Sequence, residues 1–566
     1  MGERTSAAGA LKSWLALAGV IAAVVFAASC GGGGGGGGGV SAESTPPAGS
    51  APQPAALGLN RDPGTLVVAV DAFNADFDPG SAYLLSEALI WRGIYESLVR
   101  LHGDSATEVE PLLADSWEAS ADASSWTFHL HPGVTFSDGT SLDAAAVKAN
   151  YVRDIELQLG TQLIIGSFIP KPEKQIVVVD PQTIRFDIGR PVPHFDVVLA
   201  AQYGTGLVSP KVFTEHSKGA KDQGHDWLQS HAVGTGPYVL KTLEPGNQVV
   251  LEQNPSYWRG WQGTHFKTII IREIPEPSTR RQLLEAGDVD IAYAGTPEDT
   301  AAVRSDPRFV VGSFKNLDMT YIILGAYGPL EKPEARQAIN YLFPYDDFLN
   351  SVRKGTLERG NGVFPDLLFT HDPNVFMYTT DLGKAKELFA KAGVSEGTTL
   401  TYEYYTGFGK DAGLVLQQQL EQVGMHLKVV EKSFSAMNAD LTTDRPASER
   451  ANMYYWGWWP DYNDPSDYSW VIFNSDAAPD KCPCYNSGYY HNKRVDEIIN
   501  AGFTETDDAK LTASYKEAQD IMSRLDPPIL PVGQELDETY FRKDIKGQVF
   551  NPLYILTFDY YALSRG

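Results

Sequence analysis

Residues 400–429 restrict the fold of this chain more than any other segment. Residues 400–404 alternate apolar and polar positions, residues 416–423 repeat apolar side chains at helical spacing up to Gly424, and residues 425–429 alternate again. A glycine is common just past the last turn of a helix. Two strands joined by a helix pair in parallel, with a right-handed crossover. The segment therefore predicts an α/β fold.

Local signals elsewhere in the chain agree with a mixed α/β body. Residues 65–70 have the composition of an opening strand, and Asp143 is well placed as the N-cap of a helix that begins at Ala144. Residues 382–392 place their apolar side chains on one helical face, and Gly393 follows as a C-cap. These signals predict one strand and two helices with defined ends.

The first 29 residues have the pattern of an export signal. An uncharged run from 14 to 28 follows two basic residues, and it is shorter than the about 20 apolar residues that a spanning helix needs. The small residues before Cys30 resemble the bacterial lipoprotein signal, with Ala27 where leucine is usual. The resemblance implies cleavage before Cys30 and acylation of its thiol, and hence a lipid anchor in a membrane.

Residues 30–60 predict a flexible tether between this anchor and a folded body. They contain an unbroken run of glycine from 31 to 39 and then a stretch rich in Ala, Ser and Pro, which cannot bury a core. The remaining chain is far longer than the roughly 250–300 residues at which single cores stop growing. Two or more lobes are therefore expected after residue 60.

Charge and cysteine content exclude several classes of protein. The formal net charge is −25 and is spread along the chain, which argues against nucleic acid as a partner and favours cationic solutes weakly. Besides Cys30, the chain has Cys482 and Cys484 alone, which cannot form a disulfide framework. Their Cys-Pro-Cys sequence is open to three interpretations: a tight bridge, half of a metal site, or a loop irregularity, which is favoured.

Residues 457–465, Gly-Trp-Trp-Pro-Asp-Tyr-Asn-Asp-Pro, are the strongest candidate for a binding site. Aromatic residues 453–456 predict a strand before them, and the two prolines and the Asn-Asp-Pro turn end it in a loop. A carboxylate among large aromatic rings suits a ligand with a cationic end and an apolar body. The alternative is a corner at a domain boundary whose tryptophans belong to the core.

A set of short motifs runs in one order from residue 64 to the C-terminus. The motifs are residues 111–117 (Pro-Leu-Leu-Ala-Asp-Ser-Trp), 133–139, 233–238, 254–258, 284–290, 334–339, 526–531 and 546–547. Together they resemble the extracellular solute-binding proteins of family 5, the peptide- and nickel-type receptors of ATP-binding-cassette (ABC) importers.

This resemblance implies a two-lobe α/β fold of the periplasmic-binding-protein type (type II, cluster C), with an extra subdomain in the first lobe and a hinge between the lobes. The expected division of the chain is a lipoprotein signal peptide at 1–29, a tether at 30–60, a discontinuous first lobe at 61–85, 200–285 and 530–566, the extra subdomain at 86–199, and the second lobe at 286–529.

The resemblance also assigns roles within residues 457–465. In the peptide-binding members, the Asp of a Gly-Trp-x-x-Asp-Tyr-x-x-Pro segment pairs with the α-ammonium of the peptide, which here implies Asp461. The backbone of residues 457–459 would pair with an extended peptide. The alternative for Asp461 is a cap of the turn at 462–464. The predicted solute-binding residues are Gly457, Trp458, Trp459, Asp461 and Tyr462, with Phe73, Asn74, Tyr83 and Tyr404 as further candidates.

Catalytic motifs are not apparent in this sequence. It contains no Gly-x-Ser-x-Gly elbow, no His-Glu-x-x-His helix and no phosphate-binding glycine loop ahead of a helix, and its acidic residues single out no catalytic pair. The prediction is a protein that is not an enzyme and has no catalytic residues, no cofactor and no metal. An exported hydrolase is the alternative from another class.

The predicted function is that of the substrate-binding receptor of an ABC importer. It would capture an oligopeptide or a dipeptide between its lobes and deliver it to the permease subunits and their ATPase. The alternative within this class is another solute: an opine, an oligosaccharide, or a nickel or other metal chelate. The protein is expected to be an exported monomer, lipid-anchored on the outer face of the cytoplasmic membrane.

Overall fold

The computed structural model describes residues 62–73, 76–82 and 85–566 of the chain. The predicted signal peptide, the tether with Cys30, and the candidates Asn74 and Tyr83 lie outside these residues. Within the described residues, no helix is long and apolar enough to cross a membrane.

Twenty strands can be assigned in the described residues. In chain order they are β1 Thr65–Val70, β2 Val99–Leu101, β3 Val109–Pro111, β4 Ala114–Ala119, β5 Ser125–Leu130, β6 Ile176–Asp180, β7 Thr183–Asp187, β8 Tyr238–Glu244, β9 Gln248–Gln253, β10 Thr268–Glu273, β11 Ile291–Tyr293, β12 Phe309–Lys315, β13 Met319–Leu324, β14 Leu357–Glu358, β15 Thr399–Tyr405, β16 His426–Lys432, β17 Met453–Trp458, β18 Ile529–Arg542, β19 Ile545–Lys546 and β20 Ser564–Arg565.

The α-helices lie between these strands in the sequence. They are α1 Leu85–Trp91, α2 Ala144–Glu156, α3 Pro172–Gln175, α4 Phe195–Leu199, α5 Pro210–Glu215, α6 His225–Leu228, α7 Pro277–Ala286, α8 Pro297–Ser305, α9 Pro333–Leu342, α10 Tyr345–Asp347, α11 Leu382–Ala392, α12 Lys410–Gln422, α13 Phe434–Thr442, α14 Pro465–Phe473, α15 Lys493–Gly502 and α16 Asp508–Asp520. Short 3₁₀ or π turns cover Gln162–Gly166, Gly328–Leu330, Phe348–Val352, Ala447–Glu449, Ser475–Ala477 and Ile521–Leu525.

One large sheet organises the molecule, with the strand order β16-β15-β17-β13-β18-β11-β1-β10-β9-β8 and with β12 and β14 also paired to β18. Strand β18 joins its two sections. Residues 529–533 of β18 pair with β13, whereas residues 536–542 pair with β12. We call β1, β8–β12 and residues 536–542 the first section, and β13, β15–β17 and residues 529–533 the second section. The chain also passes between the sections at residues 316–318, directly beside β18.

The strand pairing bears on the predicted division into lobes. Strands β11 and β12 follow residue 286, where the second lobe was expected to begin, but β11 pairs with β1 and both strands pair with the first-section end of β18. Residues 291–315 therefore belong with the first section, and that expected boundary does not match the pairing. The division of the chain as a whole stays a prediction.

The local predictions agree with the structure. The strand at 65–70 is present, Asp143 accepts a hydrogen bond from the Ala146 N–H at 2.8 Å as the N-cap of α2, and Gly393 ends α11 with a φ of 82°. Strands β15 and β16 pair in parallel around α12. Apolar side chains of these elements are buried, and each fully buried leucine or valine contributes about 1.5–3 kcal/mol. The α/β class is therefore confirmed.

A second, four-stranded sheet lies in the part of the chain between β3 and α4. Its order is β4-β5-β7-β6, and all of its pairs are antiparallel. Helix α2 packs beside it, and the ring of Tyr151 contacts Phe186 at 5.8 Å. This sheet forms within residues 86–199, where the extra subdomain was predicted.

Candidate functional site

Strand β17 leads into the candidate site with one edge partly open. It pairs along its full length with β13, from Met453 opposite Leu324 to Trp458 opposite Met319. On its other side, β15 pairs with it only at Met453 and Tyr454 within the described residues. The pairing stops at Glu403 although β15 continues to Tyr405, and the chain then bends at two glycines with positive φ, Gly407 and Gly409, before α12 begins. Residues 455–458 therefore have a strand neighbour on one side.

Gly457 is where the backbone of β17 meets an aromatic ring. A Cβ atom at this position would lie 3.3 Å from Cη2 of Trp459, so the indole lies directly against the glycine. Trp459 itself is half-buried. A side chain at 457 would therefore require the Trp459 ring to shift by a few tenths of an ångström.

An aromatic cluster covers the face of β17 that Trp456 and Trp458 share. The Trp456 ring stacks on Phe434 at 5.7 Å and on Tyr485 at 5.8 Å, and the Trp458 ring contacts Tyr485 at 5.6 Å. We define the aromatic cluster as Tyr405, Phe408, Phe434, Trp456, Trp458 and Tyr485. Phe408 and Phe434 are 52% and 57% exposed, so the outer rings remain available to an apolar ligand group.

Asp461 is buried in the loop after β17, with 6% of its surface exposed. Its backbone N–H donates a hydrogen bond of 3.1 Å to Oδ2 of Asp467 on α14. Burial raises the pKa of Asp467 well above its ordinary value, and the charge of Asp461 raises it further. The indole of Trp458 faces the same carboxyl. Two buried carboxyls this close favour a cationic partner, because a cation offsets their mutual repulsion.

The loop that carries Asp461 also contacts the part of the chain between β5 and β8. Burial raises the pKa of the Tyr203 phenol, and the nearby charge of Asp461 raises it further, so these two side chains lie close together. The ring of Tyr462 packs edge-to-face on Phe168 at 6.1 Å. Asp461 and Tyr462 therefore lie at a junction between the second section of the sheet and a distant part of the sequence.

His194 forms a second contact at this junction. Its Nδ1 lies 3.4 Å from Oδ2 of Asp464, its Nε2 lies 3.3 Å from Asp508, and its ring contacts Phe369 at 5.1 Å. Asp464 also caps α14, because its Oδ1 accepts a hydrogen bond of 2.8 Å from the Ser466 N–H. The end of the loop is thus fixed by Asp464, while Asp461 faces the junction.

The family of bacterial extracellular solute-binding proteins, family 5 (middle region), matches residues 108–480, more than half of the chain. The chain belongs to this family.

Individual members of the family 5 proteins resemble the chain over almost its whole length. The probable D,D-dipeptide-binding periplasmic protein DdpA of Escherichia coli is 29% identical, covering 90% of this chain and 94% of that protein. The Helicobacter pylori DppA structure with the peptide STSA has a TM-score of 0.74 at 22% identity, covering 88% and 98% of the two chains. Brucella suis NikA with Fe(III)-EDTA has a TM-score of 0.75 at 23% identity, covering 89% and 100%. These likenesses confirm the two-lobe α/β fold.

Two further predicted binding residues of this family 5 protein, Tyr404 and Phe73, make their described contacts away from the Asp461 loop. The Tyr404 hydroxyl donates to Glu431 at 2.9 Å and its ring stacks on Tyr402, whereas the next residue, Tyr405, contacts Trp456 at 5.7 Å. Phe73 is half-buried against the main core. The binding roles of Phe73, Tyr404 and the five candidates at 457–462 stay predictions.

Sequence reasoning missed three side chains that the fold brings to the loop: Phe168, Tyr203 and Asp467. Phe168 and Tyr203 carry no local signal, because they reach the loop through tertiary packing. Asp467 lies in α14, directly after the loop, and could have been found from its closeness to Asp461 in the sequence. Sequence reasoning also committed to Tyr404 rather than Tyr405. Strand alternation could have indicated the difference, since Glu403 lies opposite Tyr454 in the parallel pair and Tyr405 therefore shares a face with Trp456.

Cys482 and Cys484 form a disulfide, with their Cα atoms 5.3 Å apart. The favoured interpretation as a loop irregularity was therefore wrong; the separation is within the range that a bridge can span. Within the described residues, no group of three or more His, Cys, Asp or Glu side chains could hold a metal ion.

Proposed function

We propose that this protein captures peptides and that Asp461 binds their amino terminus. The observation that carries the proposal is the pair of buried carboxyls, Asp461 and Asp467, beside the open edge of β17. A hydrogen bond to a charged group contributes about 1.5–3 kcal/mol net, and a buried carboxylate gains most from a charged partner. An α-ammonium supplies both the charge and three donors.

The open edge of residues 455–458 supports an extended ligand backbone. A strand edge offers alternating N–H and C=O groups, and a peptide can add to it as a further strand. Such pairing gives affinity without reading side chains, which suits a receptor for many sequences. The aromatic cluster beside this edge supplies apolar surface for the side chains of the ligand.

The names of similar proteins support the same solute class. Relatives are described as binding D,D-dipeptides and di- or tripeptides, and a structure of the same fold holds the peptide STSA. A non-peptide solute remains the alternative, since NikA of the same fold holds Fe(III)-EDTA. The buried carboxyl pair favours the peptide, because a chelate or a sugar without an ammonium group would bring no ammonium cation to offset the repulsion between the two carboxyls.

We further propose the setting in which the protein works. The protein is exported, is lipid-anchored through Cys30 on the outer face of the cytoplasmic membrane, and delivers its solute as a monomer to the permease subunits of an ABC importer and their ATPase. It acts as a receptor and not as an enzyme, and it uses no cofactor. The description of the family as extracellular solute-binding proteins supports the export of the protein and its role as a receptor.

Native mass spectrometry of the protein purified from its own host tests the proposed solute class. Denaturing release of the bound material should give peptides with free amino termini. A single non-peptide mass, together with no binding of added di- to tetrapeptides in calorimetry, would contradict the peptide assignment. Turnover of the released solute by the protein would instead support an exported hydrolase.

A further inference from the structure

Asp318 lies next to the Asp461 loop and takes no part in the site described so far. It directly precedes β13, and because Met319 lies opposite Trp458, Asp318 comes beside Trp459. The indole of Trp459 faces its carboxyl. Asp318 is 2% exposed, and its Oδ1 atom has no hydrogen-bond partner among the described residues. A buried carboxyl oxygen without a partner is costly, so its surroundings need an explanation.

The charges of Glu535 and Asp537 act on Asp318, and Asp411 acts in turn on Glu535. We define the acidic pocket as these four carboxyls: Asp318, Asp411, Glu535 and Asp537. Within the described residues, Arg353 pairs with two of these carboxyls: it lies 2.8 Å from Glu535 and 3.6 Å from Asp411. Asp537 accepts a hydrogen bond of 2.9 Å from the side-chain amide of Asn316. Neither Asp318 nor Asp537 has an ion-pair partner within the part of the chain that the structure describes. The acidic pocket thus holds more carboxyl groups than the pairing with Arg353 satisfies.

Two buried tyrosines also interact with Asp318. Tyr321 and Tyr468 are fully buried, and neither hydroxyl forms a hydrogen bond within the described residues. The charge of Asp318 contributes to the raised pKa of both phenols, after the larger effect of burial. Asp467, which accepts the hydrogen bond from Asp461, acts on Tyr468 in the same way. The unsatisfied groups therefore extend from Asp318 to the Asp461 loop.

We propose that the acidic pocket binds a second cationic group of the ligand, the side chain of a lysine- or arginine-type residue in a peptide whose amino terminus binds Asp461. This inference rests on the proposed function and specifies its substrate class. The cation would pair with Asp318 and Asp537, and its donors would satisfy Asp318 Oδ1 and the hydroxyls of Tyr321 and Tyr468. Trp459 would cover the aliphatic part of that side chain.

The ionisation of the pocket agrees with this assignment. Burial raises the pKa of Asp318 well above its ordinary value, and the charges of Glu535 and Asp537 raise it further. Burial likewise raises the pKa of Asp537 to about 7. A bound cation favours the charged carboxylates and lowers both values, so binding of a cationic peptide should release protons. A neutral peptide of the same size should release fewer.

Isothermal titration calorimetry with matched peptides tests the proposal on the wild-type protein. Trialanine peptides carry lysine, norleucine or glutamate at position one, two or three. At one position, lysine should bind at least tenfold more tightly than norleucine, and glutamate should bind most weakly. The same titrations in buffers of different ionisation enthalpy should show additional proton release for lysine at that position.

Two variants test whether Asp318 causes the preference for lysine. Asp318→Asn should remove the preference for lysine while leaving the affinity for the norleucine peptide within twofold of wild type. Asp346→Asn, at a side chain that is 86% exposed, is the matched control and should keep the preference. A wild-type protein that binds lysine and norleucine peptides equally would overturn the proposal, as would a preference that persists in Asp318→Asn.

The two proposals fail in different ways. If no peptide binds at all, the proposed function falls and this inference falls with it. If peptides bind and depend on Asp461 but show no preference for a cationic side chain at any position, only the assignment of the acidic pocket is wrong. The wild-type peptide series decides this without any variant, so a folding defect in Asp318→Asn would not obscure it.

Discussion

The Nδ1 atom of His194 lies 3.4 Å from Oδ2 of Asp464, and this contact joins the loop of Asp461 to a segment far away in the sequence. Burial lowers the pKa of His194, but the hydrogen bond with Asp464 and the charges of Asp464, Asp508 and Asp196 outweigh it, and the pKa is raised overall. A raised histidine pKa means that the protonated form is stabilised where this contact is made.

If the contact between His194 and Asp464 forms when the protein closes on its ligand, ligand affinity should depend on pH through His194. The stabilising contribution is fully present below the ordinary histidine pKa of about 6.5 and is lost as the pH rises through the raised value. Affinity should fall over that interval in the wild-type protein and should be flatter in His194→Gln. Calorimetry with one uncharged tripeptide across this range measures the effect. Parallel profiles for the two proteins would exclude a role for this contact in closure.

Asp461→Asn should weaken the binding of peptides with a free amino terminus by at least tenfold, or about 1.4 kcal/mol. The amide keeps the size of the side chain and removes its charge. Titration calorimetry gives the affinities, and an unchanged unfolding midpoint shows that the fold is intact. N-acetylated peptides should bind the variant and the wild type equally. The exposed Asp480→Asn is the control, and full affinity in Asp461→Asn would refute the assignment.

Methylation of the peptide backbone tests the open edge of β17. If the ligand pairs with residues 455–458 as a strand, removing one of its paired N–H groups should reduce affinity by about 0.5–1.5 kcal/mol. A scan of N-methyl groups along one peptide should therefore alternate between weak and strong effects, since successive N–H groups point in opposite directions. A uniform effect at every position would argue against strand addition.

A buried ion pair should stabilise the loop after β1. Arg153 Nη2 lies 2.6 Å from Asp78 Oδ2, and His225 Nδ1 lies 2.9 Å from the same atom. Although burial opposes it, these partners lower the pKa of Asp78 to about 2. Asp78→Asn should reduce the free energy of unfolding by about 3–5 kcal/mol, because it leaves Arg153 buried with one partner fewer.

Urea denaturation at neutral pH measures this loss, with the exposed Asp104→Asn as the control. Because the pKa of Asp78 is depressed, its contribution is present above the ordinary carboxyl pKa and disappears as the pH falls towards about 2. The difference in stability between wild type and Asp78→Asn should therefore shrink in acid. A constant difference down to pH 2 would mean that the charge of Asp78 is not its source.

Cys30→Ser should release the full-length protein from membranes. The thiol of Cys30 is the predicted site of acylation, and without it the tether has no lipid. Fractionation of cells that express the wild type or the variant measures the change, and labelling with a radioactive fatty acid should mark the wild type only. Retention of the variant in the membrane fraction would require another anchor.

Local elements of the fold were predictable because their determinants lie close together in the sequence. The cap at Asp143 and the glycine that ends α11 each depend on a few neighbouring residues. The assignment of β11 and β12 was not predictable in this way. Both strands pair with β18, more than two hundred positions away, and no local pattern specifies such a partner.

The residues of the candidate site likewise differ in whether local sequence could predict them. Asp461 could be proposed from the motif around it, because the motif is contiguous. Phe168 and Tyr203 could not, because packing alone brings them to the loop. Asp318 shows the same limit: it becomes conspicuous only when the strand register places it beside Trp459 and burial leaves its carboxyl oxygen without a partner.

The pairing of Thr320 with Gly533 has a consequence for how such a protein can be recombined. The Thr320 hydroxyl donates to the Gly533 carbonyl at 3.1 Å, although 213 positions separate the two residues. The two ends of the intervening segment therefore lie next to each other in the structure. We call this segment, residues 320–533, the cassette. A chimera that exchanges this cassette for that of a relative would need only two neighbouring junctions. Because the cassette carries Asp461 and the aromatic cluster, much of the ligand preference should transfer with it.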